Sequence, residues 1–132
     1  MATIELTSEN INQTIQNNDM VLIDFWASWC GPCKTFRPVF EQAATKHPEM
    51  VFATVDTEKQ QELAAAFGIR SIPTLAVLRE QTVVFFQPGA LPSTALEQLI
   101  AQVKALDMND VRAKAKAEAS AKDNSTQIHA HT

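Results

Sequence analysis

The chain has 132 residues, of which 45% are hydrophobic and 20% are charged, and its formal net charge is −4 at pH 7. This length allows one domain with a short appendage, and the composition lies in the range of globular proteins. The negative charge argues against a nucleic-acid partner bound through a basic face, and no apolar run approaches the roughly 20 residues that a membrane span needs.

The first half of the chain predicts three strands and two intervening helices. Residues 20–27 are apolar almost throughout, which is typical of a central strand covered on both faces. Residues 34–46 carry apolar side chains every three to four positions, which indicates an amphipathic helix. The other elements predicted here are a short strand at 3–6, a helix that includes Ile11 and Ile15, and a buried strand at 50–55.

The second half predicts a helix, a hairpin and a closing helix. Thr57 and Gln60 have the spacing of a capping box at the start of a helix, and Gly68 suits the position after its end. Residues 75–78 and 82–86 predict antiparallel strands joined by a polar turn, and we expect the Gln-Pro-Gly sequence that follows to end the second strand. The apolar face of the last helix consists of Leu96, Leu99, Ile100 and Val103.

The alternation of strands and helices predicts an α/β fold. Its mixed β-sheet should be parallel at first, have an antiparallel edge and carry helices on both faces. We assign residues 1–106 to this domain. Residues 107–132 are a C-terminal extension, rich at first in Ala, Lys, Arg and Glu. These residue types favour a helix, which we expect over about 109–121, weakly docked and followed by a loose polar tail.

Both cysteines lie in the sequence Trp-Cys-Gly-Pro-Cys-Lys, between the predicted central strand and the next helix. The first residues lack the basic region and apolar stretch of a signal peptide, so we expect a reducing, cytoplasmic compartment. In that compartment a cysteine pair is more often catalytic or metal-binding than structural. The acidic domain has a size that is common among monomeric proteins, and we expect the protein to be a monomer.

Three uses of the cysteine pair can be compared. A disulfide across so short a loop would remove only roughly 2 kcal/mol of unfolded-state entropy, which argues against a purely structural role. A structural zinc site needs four ligands, and only His129 and His131, in the predicted tail, could complete a set. Redox exchange is the preferred interpretation, because a C-x-x-C between strand and helix is typical of it.

The positions of the two thiols suit dithiol exchange. Cys30 falls at or just before the helix start, where unpaired N–H groups and the helix dipole favour its thiolate. Cys33 lies one turn further on, so it should be less exposed and close enough to attack. Gly31 lets a partner backbone approach, Pro32 fits the first helical turn, and Lys34 adds a positive charge.

Three segments of the sequence resemble the thioredoxin family. They are Asp-Phe-Trp-Ala-Ser-Trp-Cys-Gly-Pro-Cys-Lys at 24–34, Gly-Ile-Arg-Ser-Ile-Pro-Thr at 68–74 and Gly-Ala-Leu at 89–91. The resemblance covers residues 1 to about 106, in the order and at the spacing of the family. It implies the thioredoxin fold.

The resemblance also implies a thiol–disulfide oxidoreductase that reduces protein disulfides. Cys30, as a thiolate, would attack the substrate disulfide, and Cys33 would then attack the Cys30 sulfur and release the reduced substrate. A flavin-dependent thioredoxin reductase would restore the dithiol with electrons from NADPH. The chain has no G-x-G-x-x-G and no P-loop, so we expect no bound cofactor and no metal. The redox group would be the Cys30–Cys33 disulfide.

Asp24 places a carboxyl group in the predicted central strand, where burial should raise its pKa. The residues alone favour a hydrogen-bonded core aspartate, whereas the resemblance implies that Asp24 takes the proton from Cys33 as that sulfur attacks. The family often has a lysine nearby on the next central strand. Here Thr54 or a neighbour stands at that position, and no lysine occurs between His47 and Glu58. We therefore expect Asp24 to lack a cationic neighbour and its pKa to be raised further.

A flat apolar docking surface around the cysteines is a further implication of the resemblance. Pro73 taken alone is an ordinary proline at a strand start, but in the family its peptide bond is cis and faces the cysteines. The backbone of Ile72 would then pair with an extended substrate segment. The predicted docking residues are Trp29, Gly31, Pro32, Ile72, Pro73, Gly89 and Ala90.

Two other functions stay open. The same fold could act as an oxidant or isomerase, but the Gly-Pro pair favours a reductant, because related oxidising families tend to carry a histidine between the cysteines. The fold could also act as a binding module or as a subunit of an assembly, without redox turnover. Such a role would survive replacement of both cysteines by serine, and reductase activity would not.

Overall fold

The computed structural model describes residues 2–117 of the chain. Its elements are β1 (Thr3–Glu5), α1 (Ile11–Asn17), β2 (Met20–Trp26), α2 (Gly31–Lys46), β3 (Val51–Asp56), α3 (Gln61–Ala66), β4 (Thr74–Arg79), β5 (Thr82–Pro88) and α4 (Ser93–Lys104). Residues 108–117 are also helical and are called α5. The predicted element order is confirmed, while the expected helix end near residue 121 and the polar tail lie outside the described residues.

The five strands form one mixed sheet in the order β1-β3-β2-β4-β5. The central strand β2 pairs parallel with β3 and antiparallel with β4, and β4 and β5 form an antiparallel hairpin. All residues of β2 are buried except Trp26, as expected for a strand covered on both faces. The edge strand β5 continues to Pro88, two residues beyond the expected end, because the missing N–H of a proline is tolerated on an edge.

Two apolar layers cover the two faces of the sheet. On one face, Leu22 of β2 packs with side chains of α2 and α4, which include Phe40 and Ile100. On the other face, the neighbouring Ile23 packs with α1 and α3, which contribute Ile11 and Leu63. Successive residues of a strand point to opposite faces, so Asp24 lies on the α2 side, like Leu22. Within residues 2–117, none of the helices has the length and apolarity that a membrane crossing requires.

The carboxyl end of α4 is attached to the sheet by a side chain of β4. Arg79, the last residue of β4, donates from Nη1 to the carbonyl oxygens of Val103 and Leu106, each at 2.8 Å. These carbonyls belong to the end of a helix and to the residues after it, where intrahelical donors are missing. The guanidinium therefore fixes the segment from which the extension starts.

The first turn of α5 is the part of the extension that packs on the domain. Met108 is 5% exposed, and Val111 is half-buried. Arg112 forms an ion pair with Glu80 at the β4–β5 turn. The remaining described residues of α5 beyond Met108 and Val111 are exposed, so the contact with the domain is confined to one face of a short helix.

Candidate active site

The two cysteines lie where the chain passes from the carboxyl end of β2 into α2. Cys30 is the N-cap residue of α2, Cys33 lies in the first turn, and a disulfide joins them. The backbone N–H of Cys33 donates to Sγ of Cys30 at 3.2 Å. The predicted position of Cys30 at the helix start is therefore confirmed, and a donor already points at the sulfur that would carry a negative charge.

Both cysteines are buried in the disulfide form. The exposed fraction is 4% for Cys30 and 2% for Cys33, so Cys33 is the less exposed of the two, as expected, but Cys30 also has little exposed surface in this form. The N-cap geometry turns its sulfur towards the amide of Cys33, and the carbonyl oxygen of Ile72 lies 3.7 Å from the same atom. Access to Cys30 is therefore controlled by the residues around it.

The loop before β4 meets the cysteines as expected. The peptide bond between Ile72 and Pro73 is cis, which confirms the prediction for this proline. The backbone N–H of Gly89 donates to the carbonyl oxygen of Pro73 at 2.8 Å. The structure thus brings Ile72, Pro73 and Gly89, three of the predicted docking residues, into one cluster beside Cys30.

A groove of about 610 Å³ extends from Trp29 to Ile72. Trp29 forms one wall and is 69% exposed. The sequence analysis missed the other lining residues, which are Thr57, Gln61, Ala64, Ala65, Ile69, Arg70 and Ser71. The signal available for it was the run of alanines in α3, because small side chains leave room beside a large aromatic ring.

Five predicted docking residues are not part of the groove lining: Gly31, Pro32, Pro73, Gly89 and Ala90. Gly31 and Pro32 are exposed in the first turn of α2, and Ala90 is exposed after β5. They adjoin the cysteines and the Gly89–Pro73 contact along the chain. Of the predicted docking residues, Trp29 and Ile72 therefore line the groove.

Asp24 is fully buried, on the face of the sheet that α2 covers. Burial raises the pKa of its carboxyl from 3.8 to about 7, and the positive charge of Arg37 lowers it. The raised pKa is confirmed, but the expected absence of a cationic neighbour is wrong, because Nε of Arg37 lies 3.9 Å from Oδ2. Thr54 does stand beside Asp24 in β3, as predicted, so here the cation comes from a helix and not from that strand.

Arg37 is a candidate residue that the sequence analysis missed. Its guanidinium carbon lies 4.6 Å from the ring centroid of Trp26, in a cation–π contact. Arg37, Trp26, Cys33, Lys34 and Pro38 line a second cavity of about 310 Å³. The available signal was spacing, since Arg37 follows Cys33 by four residues and so lies on the same side of α2.

A structural zinc site is one alternative use of the cysteine pair. Between residues 2 and 117, no group of three or more His, Cys, Asp or Glu side chains is arranged to hold a metal ion. His129 and His131, the two histidines considered as zinc ligands, lie outside the described part of the chain.

Comparison with known proteins identifies close relatives of this chain. The sequence model of the thioredoxin family matches residues 2–102. A relative from Streptomyces coelicolor, described as a thioredoxin 2, is 62% identical over 117 residues, which are 89% of this chain and 87% of that one. Thioredoxin C-3 from Corynebacterium nephridii is 48% identical over 75% of this chain and 69% of its own length. Among solved structures, a mutant thioredoxin from Halobacterium salinarum has a TM-score of 0.74 at 31% identity, covering 80% of this chain and 95% of that one.

Proposed function

Because the chain belongs to the thioredoxin family, in which a cysteine pair exchanges disulfides, we propose that this thiol–disulfide oxidoreductase works as a reductant of oxidised proteins through Cys30 and Cys33. The observation that carries the proposal is the 3.2 Å contact between the amide of Cys33 and Sγ of Cys30 at the start of α2. A thiolate at Cys30 would accept the same hydrogen bond and lie at the positive end of the helix dipole.

The first step starts from the dithiol form. The Cys30 thiolate attacks one sulfur of the substrate disulfide, the substrate S–S bond breaks, and a mixed disulfide with Cys30 forms. The other substrate sulfur leaves as a thiolate and takes up a proton from solvent.

The second step releases the substrate. Asp24, as a carboxylate, takes the proton of the Cys33 thiol, and the Cys33 sulfur attacks Sγ of Cys30. The mixed disulfide breaks, the Cys30–Cys33 disulfide forms, and the second substrate sulfur leaves as a thiolate. In total two electrons pass from the protein to the substrate. A carboxyl with a pKa of about 7 suits this exchange, because it can both accept and return a proton near neutral pH.

Docking of the substrate involves the surface around the cysteines. An extended segment of the substrate would pair with the backbone of Ile72 and lie along the groove beside Trp29. Gly31, Pro32, Pro73, Gly89 and Ala90 would form the surrounding contact surface. The exposure of Trp29 and the contact between Gly89 and Pro73 support this arrangement.

The dithiol has to be restored after each turnover. We assign this step to an NADPH-dependent thioredoxin reductase, which would supply the two electrons, since the cysteine pair is the only redox group that the family uses. The protein would work as a monomer in the cytoplasm, in electron transport and redox homeostasis. Membership of the family supports these assignments.

The test is reduction of insulin disulfides in the presence of NADPH and a bacterial thioredoxin reductase, followed as NADPH oxidation. Wild-type protein should sustain turnover, and Cys30→Ser should reduce it to background. Cys33→Ser should stop after one half-reaction and accumulate a covalent adduct with the substrate, detected by mass spectrometry. If the variant with both cysteines replaced by serine kept the full effect of the wild type, a binding role would replace the reductase.

An equilibrium titration against glutathione separates a reductant from an oxidant. If the Cys30–Cys33 disulfide persists against a large excess of reduced glutathione, the dithiol is a strong reductant. If the disulfide forms only at strongly oxidising ratios, the protein is an oxidant or isomerase and the reductase assignment fails.

A further inference from the structure

The contact between Asp24 and Arg37 is an ion pair without a hydrogen bond. Nε of Arg37 lies 3.9 Å from Oδ2 of Asp24, beyond hydrogen-bond distance. Neither carboxyl oxygen of Asp24 has a hydrogen-bond partner among residues 2–117. The interaction between the two side chains therefore depends on charge and not on bonding geometry.

Trp26 holds the guanidinium of Arg37 in place. The ring lies 4.6 Å from the guanidinium carbon, and the Arg37 side chain is 33% exposed while Asp24 is fully buried. Cys33, the sulfur that must lose a proton, lines the same cavity as Arg37 and Trp26. The guanidinium thus lies between the buried carboxyl and the solvent, next to the resolving cysteine.

Few other charged groups face this carboxyl. On β3 its neighbour is Thr54, and on β4 it is Leu75, both uncharged. Asp56, two residues further along β3, accepts hydrogen bonds from the backbone amides of the turn that follows. Lys34 lines the cavity beside Cys33, but within residues 2–117 the ion-pair partner of Asp24 is Arg37.

We propose that Arg37 is a positioning residue of the second step: its charge, held over Trp26, favours the carboxylate form of Asp24, which is the form that accepts the proton of Cys33. This inference rests on the proposed function and adds to it a residue on α2. Burial disfavours the carboxylate, and a guanidinium at 3.9 Å partly offsets this cost. Loss of the charge would leave Asp24 protonated over a wider pH range and unable to accept a proton there.

Variants that remove, keep or move the positive charge of Arg37 separate its effect through charge from its effect through packing. Arg37→Met keeps an unbranched apolar side chain near Trp26 and removes the charge, whereas Arg37→Lys keeps the charge and loses the planar guanidinium. Thr54 lies beside Asp24 in the parallel register, on the same face of the sheet. The double variant Arg37→Met/Thr54→Lys therefore moves the cation from α2 to β3.

The experiment is a titration of the Asp24 side-chain carboxyl by carbon NMR in the reduced, full-length protein. Arg37→Met should raise the pKa of Asp24 by about one unit or more, which is the low end of what a neighbouring arginine does to an aspartate. Arg37→Lys and the double variant should return it to within a few tenths of a unit of the wild type. An unchanged pKa in Arg37→Met would overturn the inference. Arg37→Gln takes its place if the methionine variant does not fold.

A second measurement tests whether the pKa of Asp24 controls the step in which Cys33 attacks the mixed disulfide. The rate at which Cys33 resolves the mixed disulfide should rise with pH in each variant, with a midpoint that follows the pKa of Asp24. A midpoint that stays fixed while the pKa moves would show that Arg37 acts on Asp24 but not on this step, and would overturn the proposal. Failure of the wild type to reduce insulin would reject the proposed function, whereas the titration reports on Arg37 independently.

Discussion

The backbone amide of Gly89 donates to the carbonyl oxygen of Pro73 at 2.8 Å, and this bond joins the end of β5 to the start of β4 beside the cysteines. Gly89 makes the contact at a φ of +107°, in a region that side chains with a Cβ rarely adopt. The shape of the docking surface therefore depends on a backbone conformation that favours glycine.

Replacement of Gly89 tests this conformational requirement. A Cβ built at Gly89 or at Gly31 meets no atom within 4 Å, so neither alanine would clash. Of these two glycines only Gly89 has a positive φ, and Gly89→Ala should lower the free energy of unfolding by about 1–2 kcal/mol. Gly31→Ala, in the first turn of α2, should not destabilise the protein. Equal unfolding free energies of the two variants in urea would contradict the argument.

Trp29 should contribute to substrate affinity and not to stability. Its side chain is 69% exposed, so Trp29→Ala should leave the melting temperature nearly unchanged. Loss of an aromatic contact of about 1.4 kcal/mol would raise KM for insulin about tenfold. Val83→Ala, at an apolar position that is also exposed but lies on β5, is the matched control and should leave KM unchanged. The prediction fails if both variants have the KM of the wild type.

The buried carboxyl of Asp24 should make stability depend on pH. Its pKa is about 7 in the folded protein against 3.8 for a free aspartate, so the folded state holds the proton more tightly. The contribution of Asp24 to stability should therefore be greatest below about pH 4, fall as the pH rises to 7, and stay low above it. A shift of about three units corresponds to about 4 kcal/mol, as an upper estimate.

Asp24→Asn should remove this dependence. We expect the variant to be more stable than the wild type at pH 8 by a few kcal/mol and to match it near pH 4, as measured by urea denaturation at each pH. Asp110→Asn, which removes an exposed carboxyl of α5, should leave the slope between pH 4 and 7 unchanged. A wild-type slope equal to that of Asp24→Asn over this range would refute the assignment.

The extension should be held mainly by Met108. This side chain is 5% exposed, and truncation of a buried methionine to alanine typically costs 2–5 kcal/mol. We expect about 2 kcal/mol for Met108→Ala, because α5 can relax at the surface. Arg112→Ala removes only a partly exposed ion pair with Glu80 and should cost less than 1 kcal/mol. The reverse order of the two effects, in thermal or urea unfolding, would show that charge and not burial holds the helix.

Local patterns in the sequence were enough to predict most of the fold. The run of β2, apolar apart from Asp24, and the spacing of Phe36 and Phe40 each have one structural interpretation, and both were correct. The capping box was not. Thr57 donates from Oγ1 to the carbonyl oxygen of Trp26 at 3.0 Å, and α3 starts after Gln60 without a side-chain cap. In a capping box the Thr57 oxygen would accept from a backbone N–H of the helix, whereas here the hydroxyl donates to a carbonyl that tertiary packing brings close, which spacing does not reveal.

The candidate site likewise contains residues that the sequence predicted and one that it did not. Cys30 and Cys33 were predictable because their chemistry depends on four consecutive residues at a helix start. The partner of Asp24 was not, because it comes from a helix packed on the sheet and not from the neighbouring strand. Arg37 reaches the carboxyl through the packing of α2 on the sheet, and a long flexible side chain on a helix can point to solvent equally well.

The strand β4 has Pro73 immediately before it and Arg79 at its end, and this arrangement separates two regions of the surface. From Thr74 to Arg79 the strand spans roughly 17 Å, at about 3.3 Å per residue. The loop that faces the cysteines lies at one end, and the guanidinium that fixes the start of the extension lies at the other. We therefore expect a fluorophore, an affinity handle or a fused domain on the exposed side of α5 to lie far from the cysteine pair. Such an attachment would leave the cysteines accessible to a substrate.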